Sequence, residues 1–300
     1  MNKNLLWALS AKCPFDCSYC YLKFNEKYNP MPLDLPDLDL KGKLNAIDRF
    51  KNLYVKNAFL AGGEILCNND LEQIVNYIAK MEINNIVCTN GIYLTNAIFV
   101  KLLKENKIKA ISISLDSSFP QYTNHYKNYK VNGWNIIVDN ISKIRSIVYN
   151  NNLKTKLGIY MVLTSKNLND LSNLYLMCSN MGIDYFVFQP ITLPHNHYLY
   201  NELFLSKKLI KNLVMEYKKI EKRKAETLFP SSMYFRLLCD CIEEKKIEEI
   251  CNKDALLFMD SNGQITNCPK KMFDEDCEFN LDCINMWLLS NFDKFLEGKL

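Results

Sequence analysis

Three cysteines near the start, in the stretch Cys13-Pro-Phe-Asp-Cys17-Ser-Tyr-Cys20, constrain this chain more than any other feature. Their spacing is C-x3-C-x2-C, and no fourth ligand-type residue follows closely. Thiolates this near one another on a tight loop can close on one soft metal centre. A tetrahedral zinc or an ordinary four-cysteine cluster needs a fourth donor. The loop therefore either awaits a distant ligand or leaves one iron of a [4Fe–4S] cube open to a ligand that is not protein.

The rest of the composition narrows the setting. Three hundred residues suffice for one large domain, or a large domain with a small one. A net charge of +4 is mild. The basic groups Lys218-Lys219 and Lys222-Arg223-Lys224 alternate with Glu216, Glu221 and Glu226 along a predicted helix. That is a solvated face, so no nucleic-acid partner is expected. No apolar run approaches the roughly 20 residues of a membrane span, and the N-terminal apolar stretch is too short for a signal peptide. A cytoplasmic, membrane-free protein is expected, in which twelve cysteines serve as metal ligands or buried thiols rather than disulfides.

Short β-branched runs alternate with amphipathic stretches, the pattern of β/α units around a parallel sheet. The runs are Leu5–Ala11, Asn57–Gly62, Asn85–Asn90, Ala110–Asp116, Leu157–Thr164 and Tyr185–Ile191. Helices are expected after Asp70, from Thr95 to Asn106, over Trp134–Asn150 and over Leu168–Met181, the last stopped by Gly182. The expected fold class is α/β: a partial (β/α)6 TIM-like barrel with a small C-terminal β-hairpin/helix domain. In parallel architectures functional residues collect at the C-terminal strand ends. The unusual residues fall there: the cysteines, Gly62-Gly63-Glu64, Thr89-Asn90-Gly91, Ser112 to Asp116, and Gln189-Pro190.

Beyond Thr192 the character changes. A long charged helix, about Ser206–Glu226, is followed by Pro230, a helix over Met233–Lys246 and a cysteine-dense tail. There Leu256–Asp260 and Gln264–Cys268 flank Ser261-Asn262-Gly263, and Asn-Gly is the strongest short hairpin signal. Trp287–Leu296 reads as a closing amphipathic helix. The domains are expected to be residues 1–205 and 206–300.

Cys13, Cys17 and Cys20, with the aromatic Tyr19 just before the third, resemble the cluster loop of the radical S-adenosylmethionine (SAM) superfamily. Gly62-Gly63-Glu64 resembles that family's methionine-binding motif, and Thr89-Asn90-Gly91 and Ser112-Ile-Ser114-Leu-Asp116 stand where it carries similar segments. The resemblance covers residues 1 to about 200 in order. It implies that the three thiolates hold three irons of a [4Fe–4S] cluster and that the fourth iron takes the methionine moiety. Reductive cleavage then yields a 5′-deoxyadenosyl radical that abstracts hydrogen from a substrate. The SAM-contacting residues it implies are Tyr19, Gly62, Gly63, Glu64, Asn90, Ser112, Ser114, Asp116 and Gln189. Relatives that modify peptides often carry an Arg after the strand-four Asp; the segment Tyr122–Gly133 offers Lys127 and Lys130 instead. A Lys neutralises a carboxylate as a point charge without the bidentate fork.

Cys251-x11-Gly263-x4-Cys268 resembles the opening of the auxiliary-cluster domain called SPASM, or its shortened twitch form. Only Cys277 and Cys283 follow, which implies one auxiliary [4Fe–4S] cluster on Cys251, Cys268, Cys277 and Cys283, with Cys239 or Cys241 as an alternate. Cys178 and Cys88 read as buried thiols. The histidines 125, 195 and 197 show no metal spacing with the cysteines; His195 and His197 lie in a loop at the barrel mouth. Cys67, Tyr160, Gln189 and Tyr234 are the places to look for an acid, base or radical quencher.

The resemblance implies a peptide substrate, modified by crosslinking, thioether formation, epimerisation or oxidation. The alternative is a small molecule such as a sugar or antibiotic precursor; a non-enzymatic cluster scaffold would need no cofactor cradle. The chain starts almost at strand one, so leader binding is expected from a separate protein or the basic surface. A flavodoxin- or ferredoxin-type donor is the expected electron source.

Overall fold

Apolar runs separated by amphipathic stretches can lie side by side only as parallel strands joined by crossovers. The computed structural model, which describes residues 2–20, 37–128, 132–193, 195–223, 226–243, 255–267 and 281–299, is built this way. Strands β1 (Lys3–Ser10), β2 (Val55–Gly62), β3 (Asn84–Thr89), β4 (Ile108–Ser114), β5 (Lys156–Leu163) and β6 (Tyr185–Pro190) are parallel, each beside its sequence neighbour. Helices α1 (Leu40–Asp48), α2 (Leu71–Lys80), α3 (Ala97–Lys104), α4 (Pro120–Tyr126), α5 (Gly133–Asn150) and α6 (Leu171–Asn180) run between them. The architecture is an α/β partial barrel, as expected.

Side chains alternate across each strand. On the outer face Leu5, Trp7 and Leu9 are fully buried, the Trp7 ring meeting Phe50 edge-on at 5.8 Å. On the inner face Asn57 donates to Asn4 at 2.8 Å and Asn84 to Asn57 at 2.9 Å, an amide ladder across three strands. The Tyr185 ring lies over Gly158, the one inward position of β5 with no side chain; a Cβ there would meet the ring at 1.9 Å.

Several boundaries differ from the sequence expectation. Asp70 stands before α2 without capping it, because its carboxylate pairs with Lys43 at 2.7 Å. The cap of α3 is Asn96, accepting from Ile98 N–H, and not Thr95. The charged helix is shorter: after α7 (Tyr200–Leu203) and a 3₁₀ turn at Lys207–Leu209, α8 spans Ile210–Glu221. Next comes α9 (Ser232–Ile242). The closing helix is two, α10 (Leu281–Ser290) and α11 (Phe292–Leu296).

The expected hairpin forms, with β7 (Leu256–Met259) antiparallel to β8 (Ile265–Thr266). Asp260 Oδ1 accepts the N–H groups of Asn262 and Gln264, and Gly263 takes φ 78°. The hairpin also extends the main sheet, because β7 runs parallel to β1 from Asn4↔Leu256 to Trp7↔Met259. The sheet order is therefore β6-β5-β4-β3-β2-β1-β7-β8. Helix α10 packs against β6, β1, β7 and α9, so it spans the gap between the two sides of the open sheet. Helix α11 plugs the N-terminal end: Asp293 meets Lys56 at 2.8 Å and Lys109 at 2.7 Å. Closing that end leaves the opposite, C-terminal end as the mouth. Among the described residues no helix is long and apolar enough to cross a membrane.

Candidate functional site

The loop leaving β1 has no regular secondary structure from residue 11 to 20, so tertiary contacts must hold it. Cys20 N–H donates to Cys17 O at 3.2 Å and closes a tight turn. The Ser18 N–H and hydroxyl both donate to Tyr126 O, at 2.8 and 2.9 Å, and the Cys17 thiol lies 3.9 Å from Lys127 O. Cys13 is exposed, while Cys17 and Cys20 are half-buried. Burial pushes the Cys17 thiol up to about 12; Lys127 opposes the rise, and Cys20 and Cys13 add to it. A thiol so desolvated keeps its proton at neutral pH unless a metal replaces it. Among the described residues no three His, Cys, Asp or Glu side chains converge on a single ion. A cube presents a separate iron to each thiolate, so thiols set side by side along one loop suit it better than a mononuclear zinc.

The Gly62-Gly63-Glu64 segment packs directly on this loop. Gly63 N–H donates to Ser10 O at 2.7 Å and Glu64 N–H to Lys12 O at 2.9 Å. A Cβ on Gly62, whose φ is 117°, would meet Ser10 O at 2.5 Å; one on Gly63 would meet Lys12 O at 2.2 Å. Only glycine allows that approach. The Glu64 carboxylate turns inward: Oε1 accepts from the Thr89 hydroxyl (2.7 Å) and Leu66 N–H (3.0 Å), and Oε2 from Asn90 N–H (2.8 Å). Burial raises its pKa, and those hydrogen bonds oppose the rise. Asn90 in turn directs its amide nitrogen to Cys13 Sγ at 3.9 Å. Three motifs far apart in sequence are thus bonded into one cluster at the mouth.

The β4 residues divide by depth. Ser114 is half-buried at the mouth, whereas the Ser112 hydroxyl lies deeper and shares a hydrogen bond with Tyr185 Oη at 2.8 Å. Asp116 is fully buried. Its Oδ2 accepts from Tyr19 Oη at 2.5 Å and from Lys127 Nζ at 2.9 Å, and its Oδ1 from Val162 N–H at 2.8 Å. On β5 and β6, Tyr160 Oη donates to Gln189 Oε1 at 3.0 Å. Cys88 is half-buried rather than fully buried; its thiol bonds with Ser112, and burial pushes its pKa up to about 12.

The remaining candidates scatter. Cys67 ends a 3₁₀ turn, exposed, beside a hollow of about 370 Å³ that Tyr93, Asn96 and Ile98 also line. Its thiol pKa is raised by burial, then by Glu64 and Cys13. Tyr234 on α9 is fully buried and donates to Phe188 O at 2.6 Å, behind β6. Cys178 is buried, as expected. His195 lies against the Tyr200 ring, and His197 accepts from Leu199 N–H at 3.1 Å while stacking on Tyr198. Cys239 and Cys241 are half-buried on α9, and Cys283 is on α10. Cys251, Cys268, Cys277 and Lys130 lie outside the described residues.

Sequence reasoning missed α4 and its tyrosines. Tyr19 and Tyr126 form a small second core with Ile191, Leu199 and Leu203, with Tyr122 packed against it. Tyr126 Oη donates to Glu202 at 2.5 Å. The stretch Pro120–Tyr126 carries no helical apolar period, so only its Pro at the first helical turn signalled a helix.

A family described as the Radical SAM superfamily matches residues 7–178, more than half of the chain. A GTP 3′,8-cyclase of Aquifex aeolicus is 32% identical over 136 residues, covering 43% of this chain and 40% of that protein. A PqqA peptide cyclase of Methylocella silvestris is 28% identical over 129 residues, covering 42% of this chain and 32% of that one. These matches thus span less than half the length of either curated relative. Among solved structures, Streptococcus suis SuiB bound to S-adenosylmethionine superposes with a TM-score of 0.69 at 17% identity, covering 99% of this chain and 67% of that one. SuiB has also been solved bound to the precursor peptide SuiA, with a TM-score of 0.67. At such identity the likeness is one of fold.

Proposed function

The chain belongs to the radical SAM superfamily, and from that premise we propose that it is an enzyme acting on a peptide through hydrogen abstraction. The observation that carries this reading is the bonded cluster at the mouth, where Asn90 reaches Cys13 and Glu64 ties β2 to β3. Cys13, Cys17 and Cys20 would hold a [4Fe–4S] cluster, which with SAM would supply the radical chemistry for hydrogen abstraction.

The chain's own residues bind, orient and exclude water. Gly62 and Gly63 let the β2 backbone close on the loop, and their carbonyls, with Asn90, Ser114 and Gln189, form the half-buried polar surface proposed to meet SAM. Tyr19, Glu64, Ser112 and Asp116 have hydroxyl or carboxylate groups bonded within the chain and shape that surface from behind. Tyr160, which donates to Gln189, and the Cys88 thiol face the interior below it.

The C-terminal region, residues 206–300, is proposed to carry one SPASM- or twitch-like auxiliary [4Fe–4S] cluster on Cys251, Cys268, Cys277 and Cys283, with Cys239 or Cys241 as an alternate. The peptide-cyclase relative and the precursor-bound SuiB support a peptide substrate. A flavodoxin- or ferredoxin-type electron donor is proposed as a partner. The GTP 3′,8-cyclase relative favours a second reading, in which the substrate is a small molecule.

Anaerobic reconstitution tests the assignment. About eight irons per chain are expected for two four-iron clusters, and about half of that after joint replacement of Cys13, Cys17 and Cys20 by Ala. Reduced protein that forms no 5′-deoxyadenosine from SAM would end the enzyme reading. Turnover of a candidate precursor peptide, against GTP and sugar nucleotides as competitors, separates the two substrate classes.

A further inference from the structure

The residues between the second and third cysteines are held by a buried ion pair. Asp116 is fully buried, and the Lys127 side chain is only 6% exposed. The Asp116 carboxylate accepts from Tyr19 Oη, Lys127 Nζ and Val162 N–H at 2.5, 2.9 and 2.8 Å, and its carbonyl accepts from Asn167 Nδ2 at 2.8 Å. Lys127 Nζ also donates to Ser114 O at 3.2 Å. Three elements thus meet at Asp116: the end of β4, the β5 backbone and the residue following α4. Tyr19 brings the cysteine loop to the same point. Just before Tyr19, Ser18 donates twice to Tyr126 O, and Cys17 Sγ lies 3.9 Å from Lys127 O.

We propose that Asp116 and Lys127 are positioning residues for the cysteine loop, fixing Cys17 to Cys20 in the geometry that the cluster needs, and that Asp116 is not a SAM contact. This rests on the reading that the loop carries the cluster. A loop of residues without helix or strand hydrogen bonds takes its shape from anchors, and partners behind the ligands govern how tightly a metal is held. Asp116 suits that task because its carboxylate is bonded on both oxygens, and the pair resists displacement because breaking either partner strands a charge away from water.

The test uses the full chain, reconstituted anaerobically and studied first without SAM and then with it. Variants are Tyr19→Phe, Asp116→Asn, the double variant, Lys127→Met and Lys127→Arg. Read-outs are the rate at which a ferrous chelator strips the loop cluster, the electron paramagnetic resonance of the reduced cluster, and the SAM dissociation constant by calorimetry. Tyr19→Phe and Asp116→Asn should each speed iron loss about tenfold and alter the resonance before SAM is added. The double variant should lose iron no faster than the quicker single one, because both act through one network. SAM affinity should stay within about threefold, and Lys127→Arg, unlike Lys127→Met, should restore wild-type retention. Tyr19→Phe deletes one hydroxyl only and keeps the test informative if Asp116→Asn folds poorly. Wild-type iron retention in Tyr19→Phe and Asp116→Asn, or SAM affinity weakened tenfold or more with an unchanged cluster signal, would overturn the assignment while leaving the functional reading intact. A wild-type loop that takes up no iron would overturn both.

Discussion

Glu64 accepts the Thr89 hydroxyl at 2.7 Å with one oxygen and the Asn90 N–H at 2.8 Å with the other, at 2% exposure. The acid of the Gly-Gly-Glu segment is therefore a brace between β2 and β3. What it braces is the turn that presents Asn90 to Cys13.

Removing that brace should be costly. Glu64→Ala leaves the Thr89 hydroxyl and the Asn90 and Leu66 N–H groups without their acceptor in a buried place. A loss of about 2–4 kcal/mol is expected. Glu64→Gln keeps one acceptor oxygen and should lose about half as much. Urea unfolding of the two variants checks this; equal stability for Ala and wild type would show that the carboxylate carries no strain-free bonding.

Gly63 sets how closely β2 approaches the cysteine loop. In Gly63→Ala the new Cβ would fall 2.2 Å from Lys12 O, a backbone atom that can yield only if the loop moves. A displacement of the order of an ångström costs about a hundredfold in a positioned reaction. The expected outcome is a fall of that size in 5′-deoxyadenosine formation. A variant that keeps wild-type turnover would mean that the loop tolerates the shift.

How much of this was legible beforehand depends on whether the information is local. The six strand cores were, because β-branched runs and their turn residues are short-range signals. The hairpin was as well, from Asn262-Gly263. That β7 joins β1 was not: Leu256–Met259 is buried throughout and lacks alternation, but its partner is chosen by packing far along the chain. The motif residues were legible from spacing, while their hydrogen-bond partners were not. Asp116 was expected from its motif, but not that its oxygens would meet Tyr19, Lys127 and Val162, supplied by three other segments. Lys127 was a candidate in the sequence, but helix α4 is polar and short, so nothing in its period announced the turn that sets Lys127 against Asp116.

Inside the barrel, Tyr185 and Gly158 are a matched pair. The ring is held in place because its hydroxyl donates to Ile111 O at 2.8 Å and meets Ser112 at the same distance. A Cβ on residue 158 would overlap it at 1.9 Å. Gly158→Ala should destabilise by about 2–3 kcal/mol through overpacking. Combined with Tyr185→Leu, the Ala should cost far less than it does alone. Strict additivity in a double-mutant cycle would show that the two positions do not compete for the same space.

The plug at the other end of the barrel carries a pH signature. Burial works to raise the pKa of Asp293, but hydrogen bonds from Lys109, Lys56 and Asn57 outweigh it and hold the carboxyl at about 2, below its ordinary 3.8. A carboxylate with a depressed folded-state pKa contributes stability that is complete above its unfolded value and lost as pH falls toward the folded one. The shift allows at most about 2.5 kcal/mol, and with the side chain 24% exposed to water a contribution of about 1–2 kcal/mol is expected. Urea titrations of wild type and Asp293→Asn should therefore differ by that amount at pH 7, with the gap narrowing below pH 4 and nearly closed at about pH 2. The same loss should free α11 first, because Phe292 and Phe295 pack on Tyr185 through that helix alone. A gap that stays constant with pH would place the stabilisation in packing and not in the charge of Asp293.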